Sequence, residues 1–94
     1  MEYSVDIRPQ ALDFIKRQTS KQQRQIREKI ETLKEDPRPP SAKRLSGGQG
    51  LWRVRTGDFR IVYTLEDEKL IVVVVTDGNR KDIYDKLRRA GLID

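Results

Sequence analysis

The chain has 94 residues, and its 20 lysines and arginines outnumber its 15 acidic residues to give a net charge of +5. It contains neither cysteine nor histidine, which excludes disulfides, thiolate metal sites and histidine-based acid–base catalysis. This length suits one domain over residues 1–94. We expect a soluble cytoplasmic protein without membrane contact, because there is no signal-peptide pattern and the longest apolar run, residues 70–75, is too short to cross a bilayer.

The positive charge is concentrated in the middle of the chain. Residues 1–36 carry eight basic and seven acidic side chains, residues 37–60 carry six and one, and residues 61–94 carry six and seven. A local basic patch is typical of a protein that binds a phosphate-rich partner, although an ordinary solvated surface would have the same composition.

The first elements are predicted to be a strand and two helices. Alternating apolar and polar residues predict a strand over residues 2–7. Pro9 suits the first turn of a helix, which we expect over residues 9–18. The S-x-x-Q pattern at residues 20–23 is typical of a capping box and predicts a second helix from about Lys21 to Glu35. The proline-rich residues 36–40 then end that helix.

Three strands and a helix follow. Strands are predicted at residues 51–56, 59–65 and 69–76 as an antiparallel meander, and the last is apolar at consecutive positions, as in a central strand covered on both faces. After a turn at residues 77–80, the apolar spacing predicts a helix from about Lys81 to Arg89. The order βααβββα predicts a small α+β domain, with two N-terminal helices on one face of an antiparallel sheet and a short C-terminal helix.

The segment RVRTGDFR, residues 53–60, places three arginines in one hairpin. If Gly57 and Asp58 form a two-residue turn, Arg55 faces Arg60 and Arg53 lies on the same side, whereas a three-residue loop would change this register. The opposite side then carries the apolar residues expected to receive the helices, namely Trp52, Val54, Phe59, Ile61 and Tyr63.

Opposed like charges destabilise a hairpin by up to roughly 1 kcal/mol. Convergent guanidinium groups therefore favour an external anion such as a phosphate, which arginine binds in a bidentate manner. The alternative interpretation is a solvated face whose arginines happen to alternate.

Residues 43–84 contain, in order, the elements K-x-L, [YW]-[KR]-[IV]-[KR], G-x-[YF]-R-[IL]-[VI]-Y and G-x-R followed by Tyr. In this order and spacing they resemble the RelE/ParE superfamily of bacterial toxin–antitoxin toxins, and most closely its RelE branch. The resemblance implies an endoribonuclease that cuts mRNA in the ribosomal A site and uses the RNA 2′-hydroxyl as nucleophile. It also implies inhibition by a cognate antitoxin in a hetero-oligomer.

The resemblance also implies which residues carry the chemistry. Carried over by motif position, they are Arg53, Arg55, Arg60, Arg80 and Tyr84. We expect Arg55 and Arg60 to clamp the phosphate, Arg80 to act on the leaving-group side, and Tyr84 to stack or transfer a proton. Further candidate contacts to the RNA backbone are Lys43, Arg44 and Lys81, for which a solvated interpretation is equally good. We expect neither a metal site nor a cofactor.

RelE has lysines where this chain has Arg53 and Arg55, and an arginine does not lose its proton as a general base must. Three alternatives stay open. Orientation of the RNA and electrostatic stabilisation suffice for cleavage without a base, or Tyr84 takes the proton of the 2′-hydroxyl, or cleavage is slower than in RelE. Two other functions stay open. ParE-like toxins share the fold but poison DNA gyrase without nuclease activity, and an RNA-binding relative with weak or lost activity would also fit.

Overall fold

Five strands and three helices make up the part of the chain that the computed structural model describes, namely residues 3–45, 50–78 and 80–92 without the side chains of residues 80–82. The elements are β1 (Ser4–Ile7), α1 (Pro9–Lys16), α2 (Ser20–Glu35), β2 (Lys43–Arg44), β3 (Leu51–Thr56), β4 (Phe59–Glu66), β5 (Lys69–Asp77) and α3 (Arg80–Arg89). The predicted α+β class and element order are confirmed, with β2 as an additional strand. None of these three helices is both long and apolar enough to cross a membrane.

The helix ends follow from local chemistry. Pro9 occupies the first turn of α1, as predicted, although the helix ends at Lys16 and not at residue 18. The capping box of α2 lies one residue earlier than predicted: the Thr19 hydroxyl accepts from the Gln22 amide at 3.2 Å, and the Gln22 side chain accepts from the Thr19 amide at 3.1 Å. Both T-x-x-Q and S-x-x-Q occur here, so the pattern alone did not choose between Thr19 and Ser20 as the cap.

The sheet has the strand order β1-β5-β4-β3-β2 and is mixed, not purely antiparallel as predicted. β1 lies parallel to β5, pairing Ser4 with Lys69 and Ile7 with Val72. β5 therefore lies between two strands, as its continuous apolar sequence predicted. The direction of β1 depends on a pairing partner more than 60 residues away, which no local pattern encodes.

Each face of the sheet is covered by a hydrophobic cluster. The α1/α2 cluster joins both N-terminal helices to one face and is built from Ala11, Ile15, Ile26, Ile30, Leu33, Val54, Phe59, Ile61, Tyr63, Leu70, Val72 and Val75. The α3 cluster covers the other face and is built from Leu45, Leu51, Val62, Ile71, Val73, Val74, Ile83 and Leu87. The apolar side of the predicted hairpin belongs to the α1/α2 cluster, as expected.

A β-bulge interrupts the alternation in β5. Val62 pairs with Val74 and Tyr63 pairs with Val72, which leaves Val73 without an opposing residue on β4. Val73 and Val74 consequently both belong to the α3 cluster. The extra residue inverts the side of every later position in β5, so Thr76 lies on the α3 side of the sheet.

Tyr63 connects the sheet to the proline-rich segment after α2. Its side chain is fully buried, and its hydroxyl donates a hydrogen bond of 2.6 Å to the carbonyl oxygen of Pro37. Burial and, to a lesser extent, the charge of Asp36 raise the pKa of Tyr63 from 10.0 to about 12. The phenol therefore stays protonated and keeps its donor over the whole physiological range.

We predict that Tyr63→Phe lowers the free energy of unfolding at neutral pH by about 1 kcal/mol, because the Pro37 carbonyl loses its buried donor. Between pH 10 and 12 the unfolded wild-type tyrosine ionises before the folded one. The wild type should therefore lose up to about 1.4 kcal/mol per pH unit in this window through this group.

Urea denaturation of both proteins at pH 7, 10 and 11 provides the test. The difference in the free energy of unfolding between the wild type and Tyr63→Phe should shrink as pH rises. The wild type loses stability through ionisation of its tyrosine, whereas phenylalanine has no proton to lose. A deficit that stays constant across these pH values would contradict the raised pKa.

Candidate active site

The β3–β4 hairpin has the register predicted from the sequence. Arg55 pairs with Arg60 and Arg53 pairs with Val62 around a two-residue turn. Gly57 has a φ of 56° at the first central position of this turn, where a glycine avoids the strain of a left-handed conformation. A Cβ atom at residue 57 would also collide with the side chain of Gln25, so the turn packs closely against α2. The three-residue alternative is therefore wrong.

Arg53, Arg55 and Arg60 share one side of this hairpin, which we call the arginine face. It is the side of the α3 cluster, since Val62, the partner of Arg53, belongs to that cluster. Arg55 is exposed, whereas Arg53 and Arg60 are half-buried. The Nε and Nη1 atoms of Arg60 are themselves buried. The guanidinium groups thus range from solvent-exposed to partly desolvated, and a desolvated charge acts more strongly on a bound anion.

The two basic residues of β2 lie on opposite sides of the sheet. Lys43 pairs with Arg53 and is exposed at the border of the arginine face. Arg44 pairs with Trp52 on the α1/α2 side, where its guanidinium carbon lies 5.6 Å from the centroid of the indole. Of these two predicted RNA contacts, only Lys43 lies beside the three arginines.

Helix α3 lies over the same side of the sheet as the arginines. Tyr84 is half-buried and packs against the α3 cluster. Arg80 and Lys81 are in the first turn of this helix, but their side chains are outside the described part of the chain. The expected approach of Arg80 to the other arginines therefore stays a prediction.

Two residues near this face were not predicted. Thr76 pairs with Arg60 across β4 and β5, is 1% exposed, and lies on this side only because of the bulge at Val73. Its hydroxyl oxygen accepts from the Lys86 ammonium at 3.4 Å, and that ammonium lies 4.7 Å from the centroid of the Phe14 ring. Lys86 is therefore a further cation that contacts the residue paired with Arg60. A helical lysine gives no sequence signal that would distinguish it from a solvated one.

The arrangement is chemically suited to a phosphate group. Arg53 and Arg55 form no ion pair with any described residue, so their donors are available to a ligand. Within residues 3–45, 50–78 and 80–92, no three acidic side chains come together in a way that could hold a metal ion. The site offers fixed positive charge and hydrogen-bond donors, which favour a reaction in which negative charge accumulates.

Comparison with known proteins places the chain among toxins. A family profile described as the ParE toxin of the type II toxin–antitoxin system, parDE, matches residues 5–87. A RelE1 protein of Methanocaldococcus jannaschii is 35% identical over 87 residues, covering 89% of this chain and 97% of its own length. The mRNA interferase toxin RelE of Escherichia coli is 30% identical over 90 residues, which cover 92% of this chain and 94% of its own length.

Solved structures agree with this placement. The free state of a doubly substituted Escherichia coli toxin RelE superposes with a TM-score of 0.79 at 21% identity, covering 96% of this chain and 98% of its own. The toxin in the intact Escherichia coli RelBE toxin–antitoxin complex superposes with a TM-score of 0.71 at 26% identity. The match covers 83% of this chain and 99% of the other. With a family profile over most of its length and relatives matched almost from end to end, the chain belongs to the RelE/ParE superfamily of toxins of type II toxin–antitoxin systems.

Proposed function

We propose that this toxin is an endoribonuclease that cleaves mRNA in the ribosomal A site and thereby stops translation. The observation that carries the proposal is the hairpin register. It places Arg55 opposite Arg60, with Arg53 on the same side, and this is the side of the sheet that carries α3 and Tyr84. A relative described as an mRNA interferase supports the same activity. A toxin that acts only by binding gyrase would not need three guanidinium groups on one side of this hairpin.

The proposed reaction is an internal transesterification. The RNA 2′-oxygen attacks the adjacent phosphorus, the 2′-hydroxyl proton is removed, and the bond to the 5′-oxygen breaks as that oxygen takes up a proton. The products are a 2′,3′-cyclic phosphate and a 5′-hydroxyl. The transition state carries extra negative charge on the phosphate oxygens, which Arg55 and Arg60 stabilise through bidentate hydrogen bonds.

The remaining residues have roles that follow from their chemistry. Arg53 orients the phosphate but does not act as a base, because its guanidinium stays protonated. The Tyr84 hydroxyl relays the proton that leaves the 2′-hydroxyl, passing on its own proton as it takes that one up. Arg80 acts at the leaving oxygen, and Lys43 and Lys81 hold the RNA backbone. The cations supply the charge that a metal ion provides in other nucleases, so the reaction needs no metal at this site.

The distribution of aromatic residues favours a substrate presented by the ribosome. Tyr84 packs in the α3 cluster, whereas the five other aromatic side chains belong to the α1/α2 cluster or pack against it. The arginine face therefore has little surface on which bases can stack. Binding of free RNA would be mainly electrostatic and would weaken steeply with salt.

We further propose that a cognate antitoxin binds this toxin and holds it inactive in a hetero-oligomer. The support is the similarity to the intact Escherichia coli RelBE complex, in which a toxin is bound to its antitoxin.

A second candidate function is poisoning of DNA gyrase, and the family profile that matches this chain favours it, since that profile is described as a ParE toxin. The two functions share a scaffold, so the fold does not decide between them. They differ in whether the arginine face is needed for toxicity.

Induced expression in bacterial cells distinguishes these two functions. We predict that protein synthesis halts within minutes while DNA replication continues, and that messages are cut where ribosomes translate them. Pulse labelling with an amino acid and with thymidine, together with mapping of mRNA 5′ ends, measures this. Early arrest of replication with an SOS response and intact messages would instead support gyrase poisoning.

The ends of the cleaved RNA test the chemistry. We predict a 2′,3′-cyclic phosphate and a 5′-hydroxyl on fragments recovered from ribosomes treated with the purified toxin. Susceptibility of the new 5′ end to a polynucleotide kinase, without prior phosphatase treatment, reports the hydroxyl. A 5′-phosphate on the isolated fragment would rule out the 2′-hydroxyl as nucleophile.

Substitutions on the arginine face test the assigned roles. We predict that Arg60→Lys and Arg55→Thr each slow cleavage on ribosomes by roughly a hundredfold to a thousandfold, because each removes a bidentate donor to the transition state. Arg55→Thr should also leave the melting temperature unchanged or slightly raised, since it relieves the repulsion opposite Arg60.

The matched control for this pair is Arg27→Thr, which removes an exposed arginine from α2 on the other side of the sheet. It should leave the cleavage rate unchanged. Equal loss of activity in Arg27→Thr and Arg55→Thr would mean that overall charge, not the arginine face, drives the reaction.

A further inference from the structure

Two arginines from different segments converge on the indole of Trp52, on the opposite side of the sheet from the arginine face. The guanidinium carbon of Arg38 lies 5.7 Å from the ring centroid, and that of Arg44 lies 5.6 Å from it. Both arginines are exposed, whereas Trp52 is half-buried against the α1/α2 cluster. The indole attracts each cation through its ring quadrupole, so one side chain holds both guanidinium groups.

The positions of both arginines are fixed by the backbone. Arg44 is held by the pairing of β2 with β3, directly opposite Trp52. Arg38 follows Pro37, whose carbonyl accepts the buried hydrogen bond from Tyr63, and the segment then closes with a 2.9 Å bond from the Ala42 amide to the Pro39 carbonyl. Such preorganisation lowers the entropy lost when a ligand binds.

The two guanidinium groups keep their hydrogen-bond donors available. Among the described residues, neither Arg38 nor Arg44 forms an ion pair or a side-chain hydrogen bond. Asp36 is close enough to act on the pKa of Tyr63, as is Arg38, but it makes no ion pair with either arginine. A cation held through a ring face retains its in-plane N–H groups, which suit phosphate oxygens.

This pair continues the charged surface of the arginine face around the edge of the sheet. Lys43 and Arg44 are consecutive in the edge strand β2 and point to opposite sides, Lys43 beside Arg53 and Arg44 beside Trp52. Residues 37–60 carry six basic side chains and one acidic side chain, so the cations on this path are little compensated along the chain. A strand of nucleic acid leaving the arginine face over β2 would meet Arg44 and Arg38 next.

We propose that Arg38 and Arg44, held against Trp52, form a second phosphate-binding site that grips the RNA strand as it passes around the β2 edge. The identity of the ligand as RNA rests on the proposed function. The site binds the backbone and does not stack bases, because both guanidinium groups already occupy the indole. It adds affinity for RNA outside the cleaved phosphodiester and takes no part in the chemistry.

Trp52 is the only tryptophan in the sequence, so its fluorescence reports on this site alone. The probe is an oligouridylate with 2′-O-methyl groups, which lacks the nucleophile and stays intact with the wild-type toxin. Titration should change the tryptophan emission of the wild type, and the change should be lost in Arg38→Gln/Arg44→Gln. In parallel, the slope of log affinity against log salt should fall by about 0.7 for each phosphate contact removed.

The matched control is Arg24→Gln/Arg27→Gln, which removes two exposed arginines from α2 and should change neither the salt slope nor the fluorescence response. Melting curves check that both double variants fold. An unchanged slope and response in Arg38→Gln/Arg44→Gln would overturn the proposal. So would a response to polyglutamate but not to RNA, since the site would then dock an acidic protein.

Cleavage on ribosomes is measured separately with unmodified mRNA. A wild type that binds the oligouridylate through Arg38 and Arg44 but cuts no message would contradict the proposed function and leave the second site standing. A wild type that cuts messages but shows no contribution of the two arginines to RNA binding would contradict only the second site.

Discussion

The two-residue turn at Gly57 and Asp58 fixes how β3 pairs with β4, and the distribution of charge across the sheet depends on that register. A slip by one residue would carry the side chains of one strand to the opposite face. It would place an arginine such as Arg55 in the α1/α2 cluster and leave Val54 in contact with water. Burying an unpaired guanidinium costs several kcal/mol. The hydrophobic core and the arginine face thus enforce the same register from opposite sides.

Local patterns in the sequence were sufficient for the parts of the site that lie within the hairpin. Alternation over residues 51–63 and a glycine at the turn predicted the pairing of Arg55 with Arg60, and the structure has that pairing. The family motifs led to the same residues independently. The positions of residues that depend on distant parts of the chain were harder to predict from the sequence. Lys43 and Arg44 are adjacent in sequence, and only the pairing of β2 with β3 shows that they lie on opposite sides.

The bulge in β5 is the clearest example of what the sequence concealed. A run of valines has no polar residues to show which side of the sheet each one faces. The sequence therefore gives no sign that one extra residue reverses the sides of the positions that follow. The bulge is visible only in the pairing of β5 with β4, which is a property of the assembled sheet. Thr76 and its contact with Lys86 were missed for this reason, as was the parallel pairing of β1, which depends equally on long-range packing.

The outer edges of the sheet have a consequence for how the protein behaves when it is alone. Exposed strand edges promote aggregation because their free amides and carbonyls can pair with another chain. Here β2 is two residues long, carries a lysine and an arginine, and follows a segment with three prolines. At the other edge, β1 covers β5 only as far as Val72, and α1 packs against β5. Among the described residues, neither edge offers a long strand with which another chain could pair, so the exposed edges give fibril growth little to start from.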